Sequence, residues 1–147
     1  MYKKILVIII VILMIIFIFK FFSNPKSDDS NILVFSKDSV AGTKDLKLIG
    51  YFSSNLLERY ELSYYVEYEN EIFAKDDYDR LMDSIPTRND IKYTYTIEKN
   101  CIYVKLDHII KYMDSNTLKA IFETSNTSIN KKQFENYAKK QGYTKQK

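Results

Sequence analysis

The sequence predicts an α+β domain held by an N-terminal transmembrane helix. In several segments apolar side chains recur at every second residue, which is typical of half-buried strands, and in others they recur at helical spacing. An unbroken apolar run near the start predicts the membrane helix. We expect an antiparallel sheet of about five strands, in the chain order β-β-β-α-β-β-α-α, with two or three helices packed on one face.

The membrane anchor is predicted from Ile5–Phe19, fifteen apolar residues that follow two lysines. Extended to Phe22, with Lys20 reaching the headgroup layer, a helix here would be about 27 Å long, close to the hydrocarbon thickness of a bilayer. A cleavable signal peptide is the rival interpretation, but bulky phenylalanines occupy the positions where cleavage needs small residues. We therefore expect residues 1–22 to be a single-pass signal-anchor in the cell membrane, with a cytoplasmic N-terminus and an extracytoplasmic domain.

The remaining chain has the size of one domain. Residues 23–31 are polar with one proline and predict a linker, and residues 32–147 predict a single α+β domain. Without the four lysines of residues 1–26 there are 18 basic and 19 acidic residues, which argues against nucleic-acid binding. Because the chain has one cysteine, no intrachain disulfide can form.

Three strands are predicted before the first domain helix. Residues 32–35 form a short apolar run, and residues 46–52 are apolar with polar interruptions. Between Tyr60 and Tyr68 apolar residues alternate with polar ones, with Tyr65 as the exception, which is the period of a strand with one buried side. The segments 46–52 and 57–68 form a plausible antiparallel pair.

A helix, a hairpin and two more helices follow. Asp76 or Asp77 is expected to cap a helix that places Tyr78, Leu81, Met82 and Ile85 on the sheet and ends at Pro86. Residues 91–97 and 102–106 alternate around the turn 98–100 and predict a hairpin. Ser115 or Asn116 is expected to cap a short helix through Phe122, and Asn130 to begin the last helix, with Gln133 at capping-box spacing and Gly142 as its end.

This order of elements resembles the YehR-like family of small bacterial envelope lipoproteins. The matching strings are VEYEN, DDYDRLMDSI, KYTYTIEKNCIYVKLD and KKQFENYAKKQGYTKQK, so the resemblance covers about residues 32–147. It implies an α+β domain at the outer face of the membrane and no catalytic residues. Members of that family carry a lipid on an N-terminal cysteine, which this chain lacks, so its mode of anchoring departs from theirs.

The residues give no catalytic, cofactor or metal site. Cys101 and His108 are the candidates for a nucleophile and its base, but seven residues on one strand place them on opposite faces. One histidine and one cysteine also make a poor metal-ligand set. No G-x-S-x-G, S-x-x-K or H-E-x-x-H string occurs.

The sequence is compatible with three functions. We expect first a non-catalytic binding module of the bacterial cell envelope, which contacts another envelope protein or a small ligand through its sheet. An envelope hydrolase that uses Cys101 and His108 is one alternative, and a structural subunit of a membrane complex is the other. The expected interaction surface consists of Tyr60, Tyr64, Tyr68, Tyr93 and Tyr95. Basic residues expected to face lipid or another anion are Lys131, Lys132, Lys139 and Lys140.

Overall fold

The computed structural model describes residues 31–40 and 42–146. The predicted anchor at residues 1–22 and all but the last residue of the predicted linker lie outside the described residues. Within the described ranges, no helix combines the length and the apolar character needed to cross a membrane.

The domain is an α+β fold built on a six-stranded antiparallel sheet. Its strands are β1 (Ile32–Lys37), β2 (Thr43–Ser53), β3 (Leu56–Glu67), β4 (Ile91–Glu98), β5 (Cys101–Ile109) and β6 (Thr144–Lys145). Their spatial order is β4-β5-β3-β2-β1-β6, so β4 and the two-residue β6 are the edges. The five predicted strands are confirmed, and β6 is a sixth that alternation of side chains could not reveal.

Three α-helices accompany the sheet in this part of the chain: α1 (Glu71–Asp83), α2 (Ser115–Phe122) and α3 (Lys131–Lys140). A short 3-10 helix, Ile110–Tyr112, follows β5. The capping box predicted for α3 is confirmed, because Asn130 and Gln133 each accept a hydrogen bond from the other's backbone N–H group. Gly142 follows α3 with φ of +82°, a conformation that suits glycine at a helix end.

The predicted caps of two helices are wrong. The first turn of α1 lies before Asp76 and Asp77, and its cap is Asn70, whose side chain accepts hydrogen bonds from two backbone N–H groups. Ile72 and Phe73 in that turn are exposed, so no apolar stripe indicated it. Helix α2 is capped by Asp114 rather than by Ser115 or Asn116, because the carboxylate accepts from the N–H groups of residues 116 and 117.

The apolar stripe predicted for α1 is also only partly buried. Ala74 is the buried residue of this helix, whereas Tyr78 and Leu81 are half-buried. Met82 is 44% exposed, and Ile85 lies beyond the last residue of the helix and is 38% exposed. Helix α1 packs against β4 and β5 with a narrower contact than the sequence predicts.

Strand register divides the sheet into two chemically different faces. Phe35 lies opposite Leu48, Leu48 opposite Leu62, and Tyr60 opposite both Gly50 and His108. Since residues opposite each other in antiparallel strands share a face, this side carries the buried apolar residues. We call it the helix-side face, because α2 and α3 pack there through Phe122 and Phe134.

An aromatic cluster joins α3 to the helix-side face. Phe134 is fully buried, with its ring centroid 5.9 Å from that of Phe35 and 5.7 Å from that of Phe52, both in edge-to-face orientation. The ring occupies the space above Gly50, where a Cβ atom would lie only 2.5 Å from Phe134 Cε1. A residue without a side chain in β2 therefore lets α3 approach the sheet closely.

The other face of the sheet carries ion pairs. Arg59 donates two hydrogen bonds to Asp107 on the neighbouring strand, at 3.0 and 3.2 Å, and its guanidinium lies 3.6 Å from the centre of the Tyr51 ring. Lys105 pairs with Glu61 at 2.8 Å, and Glu61 is almost fully buried. These contacts pair the charged groups at the centre of this face with one another.

Candidate functional site

A cavity lies between the helix-side face and the helices α2 and α3. Its volume is about 320 Å³, which suits a small molecule rather than a peptide. Leu48, Leu62 and Ile121 form its apolar wall. The polar and aromatic lining consists of Lys37, Tyr60, His108, Tyr137, Gln141 and Tyr143.

His108, one of the residues of the cavity wall, carries an unsatisfied polar atom. Its Nδ1 atom is buried and has no hydrogen-bond partner among the described residues. The imidazole stacks on the Tyr60 ring with centroids 4.3 Å apart and planes 5° from parallel, which holds the plane of the ring. Burial lowers the pKa of His108, against a smaller opposing effect of Asp90, so the imidazole is held neutral near pH 7. A neutral imidazole nitrogen without a partner favours a ligand that completes the hydrogen bond.

Lys37 places a positive charge beside the same cavity. Its Nζ atom donates a hydrogen bond of 2.8 Å to the backbone oxygen of Gln141 and lies 5.7 Å from the centre of the Tyr143 ring. Tyr137 and Tyr143 are half-buried, and burial raises the pKa of both hydroxyls, so they remain protonated donors at neutral pH. The cavity thus combines flat aromatic walls with several hydrogen-bond donors and one cation.

The structure does not bring Cys101 and His108 together. Cys101 lies at the first residue of β5, opposite Glu67 and Glu98, whereas His108 lies near the other end, opposite Tyr60. Seven residues of strand correspond to roughly 23 Å, and the odd separation places the side chains on opposite faces. No bulge interrupts the register of β5 with either neighbour, so the expected divergence is observed. With this geometry, Cys101 and His108 do not form the nucleophile–base pair that the hydrolase alternative requires.

The five tyrosines named from the sequence differ in their exposure. Tyr60 is 4% exposed and belongs to the core, because Phe122 and His108 cover its ring. The other four are half-buried: Tyr64, Tyr68, Tyr93 and Tyr95. Tyr68 donates a hydrogen bond to Asp77 of α1, and the rings of Tyr93 and Tyr95 lie 6.4 Å apart on β4. Burial removes Tyr60 from any contact surface, whereas the two tyrosines of β4 lie on an edge strand.

The predicted basic residues do not form one patch. Lys140 pairs with Glu123, and Lys131 extends over the Phe52 ring at 5.7 Å from its centre. Lys132 and Lys139 are exposed and lie seven residues apart, which places them on a common side of α3. The four lysines therefore lie on different sides of α3 and do not form one surface that could face a membrane.

The residues missed from the sequence are those that close the cavity. Tyr137 shares a helix side with Phe134, which indicates burial but not a cavity, and Lys37 and Tyr143 follow no pattern. Within residues 31–40 and 42–146, no group of three or more histidine, cysteine, aspartate or glutamate side chains is placed to hold a metal ion. The open groove at the ends of β3 and β5 is larger, about 610 Å³, and of its three charged residues, Glu58, Arg59 and Lys111, Arg59 is already paired with Asp107.

Comparison with known proteins supports the fold. No protein-family profile matches the chain, and no curated protein matches it. Among solved structures, the NMR structure of the Escherichia coli protein YehR is similar, with a TM-score of 0.56 and 13% sequence identity over 78% of this chain and 89% of that chain. The resemblance to YehR-like proteins is thus confirmed at the level of the fold.

Proposed function

We propose that this chain is a non-catalytic binding module of the bacterial cell envelope, and that its domain takes a small ligand in the cavity around His108. The ligand class that the lining fits is a molecule with one flat apolar face and hydrogen-bonding groups at its rim. The single observation that carries this proposal is that His108, a residue that lines the cavity, has a buried Nδ1 atom without a hydrogen-bond partner among the described residues.

The energetics of that atom favour an occupant. A buried polar atom without a hydrogen bond costs about 1–3 kcal/mol, and a ligand donor that reaches it recovers part of this cost. Stacking on the Tyr60 ring holds the plane of the imidazole, so His108 is kept in the cavity wall. Tyr137 and Tyr143 add aromatic surface on which an apolar ring face can lie.

The location of the module is part of the proposal. The apolar run Ile5–Phe19 with its flanking lysines supports a membrane anchor. The alternative of an envelope hydrolase finds no support, since Cys101 and His108 diverge across the sheet. Replacing residues 5–22 by an unrelated spanning helix would separate the third alternative, a structural subunit, because only that role needs this particular helix.

Binding is tested with the only histidine of the sequence as the reporter. Full-length chain in detergent micelles, carrying ring-labelled histidine, gives one imidazole signal, which is followed while phenol or N-acetylglucosamine is added. We expect at least one probe to move that signal in a saturable way. Tyr137→Phe should weaken the response severalfold, and Tyr112→Phe, which alters an exposed residue outside the cavity, should leave it unchanged.

A signal that neither probe moves would refute the cavity as a site for this ligand class. A response that Tyr112→Phe weakens as much as Tyr137→Phe would assign binding to the surface instead. Location is tested separately with protease added to intact protoplasts. The proposal requires cleavage of the domain, and a domain that stays protected in intact cells but not in lysed ones would overturn the extracytoplasmic assignment.

A further inference from the structure

The two edges of the sheet differ in their capacity to pair with another strand. At one edge, β6 is two residues long and offers little backbone. At the other edge, β4 has eight residues and pairs with β5 without a bulge. Natural proteins protect such an edge with very short strands, proline, bulges, charged side chains or a covering helix or loop. The strand Ile91–Glu98 contains no proline or bulge, and its charged residues Lys92 and Glu98 have opposite signs, so its outer side is suited to a strand with the complementary charges.

Backbone geometry identifies which groups of β4 face outward. The N–H of Ile109 donates to the oxygen of Asp90 at 2.8 Å, and Glu98 lies opposite Cys101 across the hairpin turn. Even-numbered residues of β4 therefore exchange hydrogen bonds with β5, and odd-numbered residues direct their N–H and C=O groups away from it. Within the described ranges, no hydrogen bond from a loop or helix reaches the outward groups, which belong to Ile91, Tyr93, Tyr95 and Ile97.

We propose that β4 pairs with β4 of a second copy of this chain, antiparallel and centred on Tyr95, so that two sheets join into one. Outward residues must face outward residues, which permits only registers that place odd numbers opposite odd numbers. In the register centred on Tyr95, Tyr95 of one copy faces Tyr95 of the other, and Tyr93 of each copy faces Ile97 of the other. Thr94 then faces Thr96, and Lys92 faces Glu98 twice, once on each side of the two-fold axis.

Charge complementarity selects this register and this partner. Aromatic, aromatic–β-branched, threonine and opposite-charge pairs are the four kinds that stabilise adjacent strands, and the register centred on Tyr95 contains all of them. In the neighbouring register centred on Thr94, Lys92 would face Thr96 and Asp90 would face Glu98, a repulsive pair. Lys92, Thr94, Thr96 and Glu98 are exposed in the domain, so their side chains are free to make these contacts.

The pairing is independent of the proposed cavity ligand. Lys92 and Glu98 lie on the face opposite to that of Tyr93 and Tyr95, because neighbouring residues of a strand alternate between faces. His108 belongs to the helix-side face, to which Tyr93 and Tyr95 also belong by register. Variants at Lys92 and Glu98 therefore alter the edge while leaving the cavity lining intact, and failure of one proposal leaves the other standing.

The register is tested by disulfide trapping of the full-length chain in its own membrane. In a Cys101→Ser background, Tyr95→Cys places two sulfur atoms across the two-fold axis, at a Cα separation of about 5.5 Å that a disulfide can span. In the matched control Tyr93→Cys, the two introduced cysteines lie four residues apart, roughly 13 Å along the strand. We expect mild oxidation to crosslink Tyr95→Cys and not Tyr93→Cys.

Charge reversal provides the second arm. In the Tyr95→Cys background, Lys92→Glu or Glu98→Lys should each reduce the crosslinked fraction about tenfold, because each converts two attractive pairs into two repulsive ones. Co-expression of the two variants should restore a mixed dimer, since the introduced glutamate of one copy then faces the introduced lysine of the other, and the unchanged Glu98 faces the unchanged Lys92. Equal crosslinking of Tyr95→Cys and Tyr93→Cys, or a mixture as weak as either variant alone, would overturn the proposal.

Discussion

Substitution of Gly50 by alanine tests how closely α3 packs on the sheet. The new Cβ atom would lie 2.5 Å from Phe134 Cε1, 2.9 Å from Phe134 Cδ1 and 2.9 Å from Phe52 Cε2. Carbon atoms pack at about 3.5–4.0 Å, so the Phe134 ring must move by about 1 Å. Phe134 is fully buried among aromatic neighbours, so no free space accepts that movement. We expect Gly50→Ala to lower the free energy of unfolding by about 2 kcal/mol, near the middle of the range for overpacked cores.

Thermal unfolding followed by circular dichroism measures this effect on the full chain in micelles. A loss of about 2 kcal/mol corresponds to a fall in Tm of about 8–12 °C for a domain of this size. Gly42→Ala is the matched control, because nothing lies within 4 Å of its Cβ position and its cost arises from φ of +83° alone. Phe134→Leu should partly rescue Gly50→Ala by removing the clashing ring atoms. Strictly additive effects of the two substitutions, or an unchanged Tm in Gly50→Ala, would refute the steric argument.

Two further predictions concern His108 and the cap of α3. The charged side chains that act on the pKa of His108 are Asp90, Arg88 and Asp107. Burial holds this pKa below its usual value, so as the pH falls below about 6.5 the unfolded chain binds a proton first and stability decreases, until the folded imidazole titrates as well. Urea unfolding at pH 7.5 and 5.5 should show this decrease, and His108→Gln should make it smaller; an equal decrease in the variant would contradict the assignment. Asn130→Ala should lower the free energy of unfolding by about 1 kcal/mol through loss of the capping box, whereas Asn136→Ala on the exposed side of the same helix should lower it much less. Equal losses of the two variants in urea unfolding would contradict a stabilising role of the cap.

Sequence reasoning found the strands because their burial follows a period of two. The alternation between Tyr60 and Tyr68 and that of residues 91–97 needs no knowledge of neighbours, and both segments are strands. The cap of α3 could also be predicted from local sequence, because Asn130 and Gln133 are three residues apart, as a capping box requires. Helix α1 begins earlier than predicted because its first turn exposes Ile72 and Phe73, which is the opposite of the pattern that indicates a packed helix.

The candidate site could not be predicted in the same way. Its lining combines Lys37 at the end of β1, His108 on β5 and Tyr137 on α3, which meet only through the order of strands and the crossing of α3 over the sheet. The odd separation of Cys101 and His108, by contrast, was informative without tertiary structure, because strand periodicity alone places them on opposite faces. Patterns within one element are therefore predictable, and juxtapositions between elements are not.

Stability and the candidate site depend on the same close contact. Gly50 permits Phe134 to lie against the sheet, and Tyr137 and Gln141 follow on the same side of α3, one and two turns later, where they form a wall of the cavity. A displacement of Phe134 by about 1 Å therefore moves that wall relative to His108, which remains fixed on β5 by its stacking with Tyr60. For this reason Gly50→Ala should shift the imidazole signal even without a ligand, whereas Gly42→Ala should not. Gly50 therefore affects the dimensions of the cavity around His108, although it does not line that cavity.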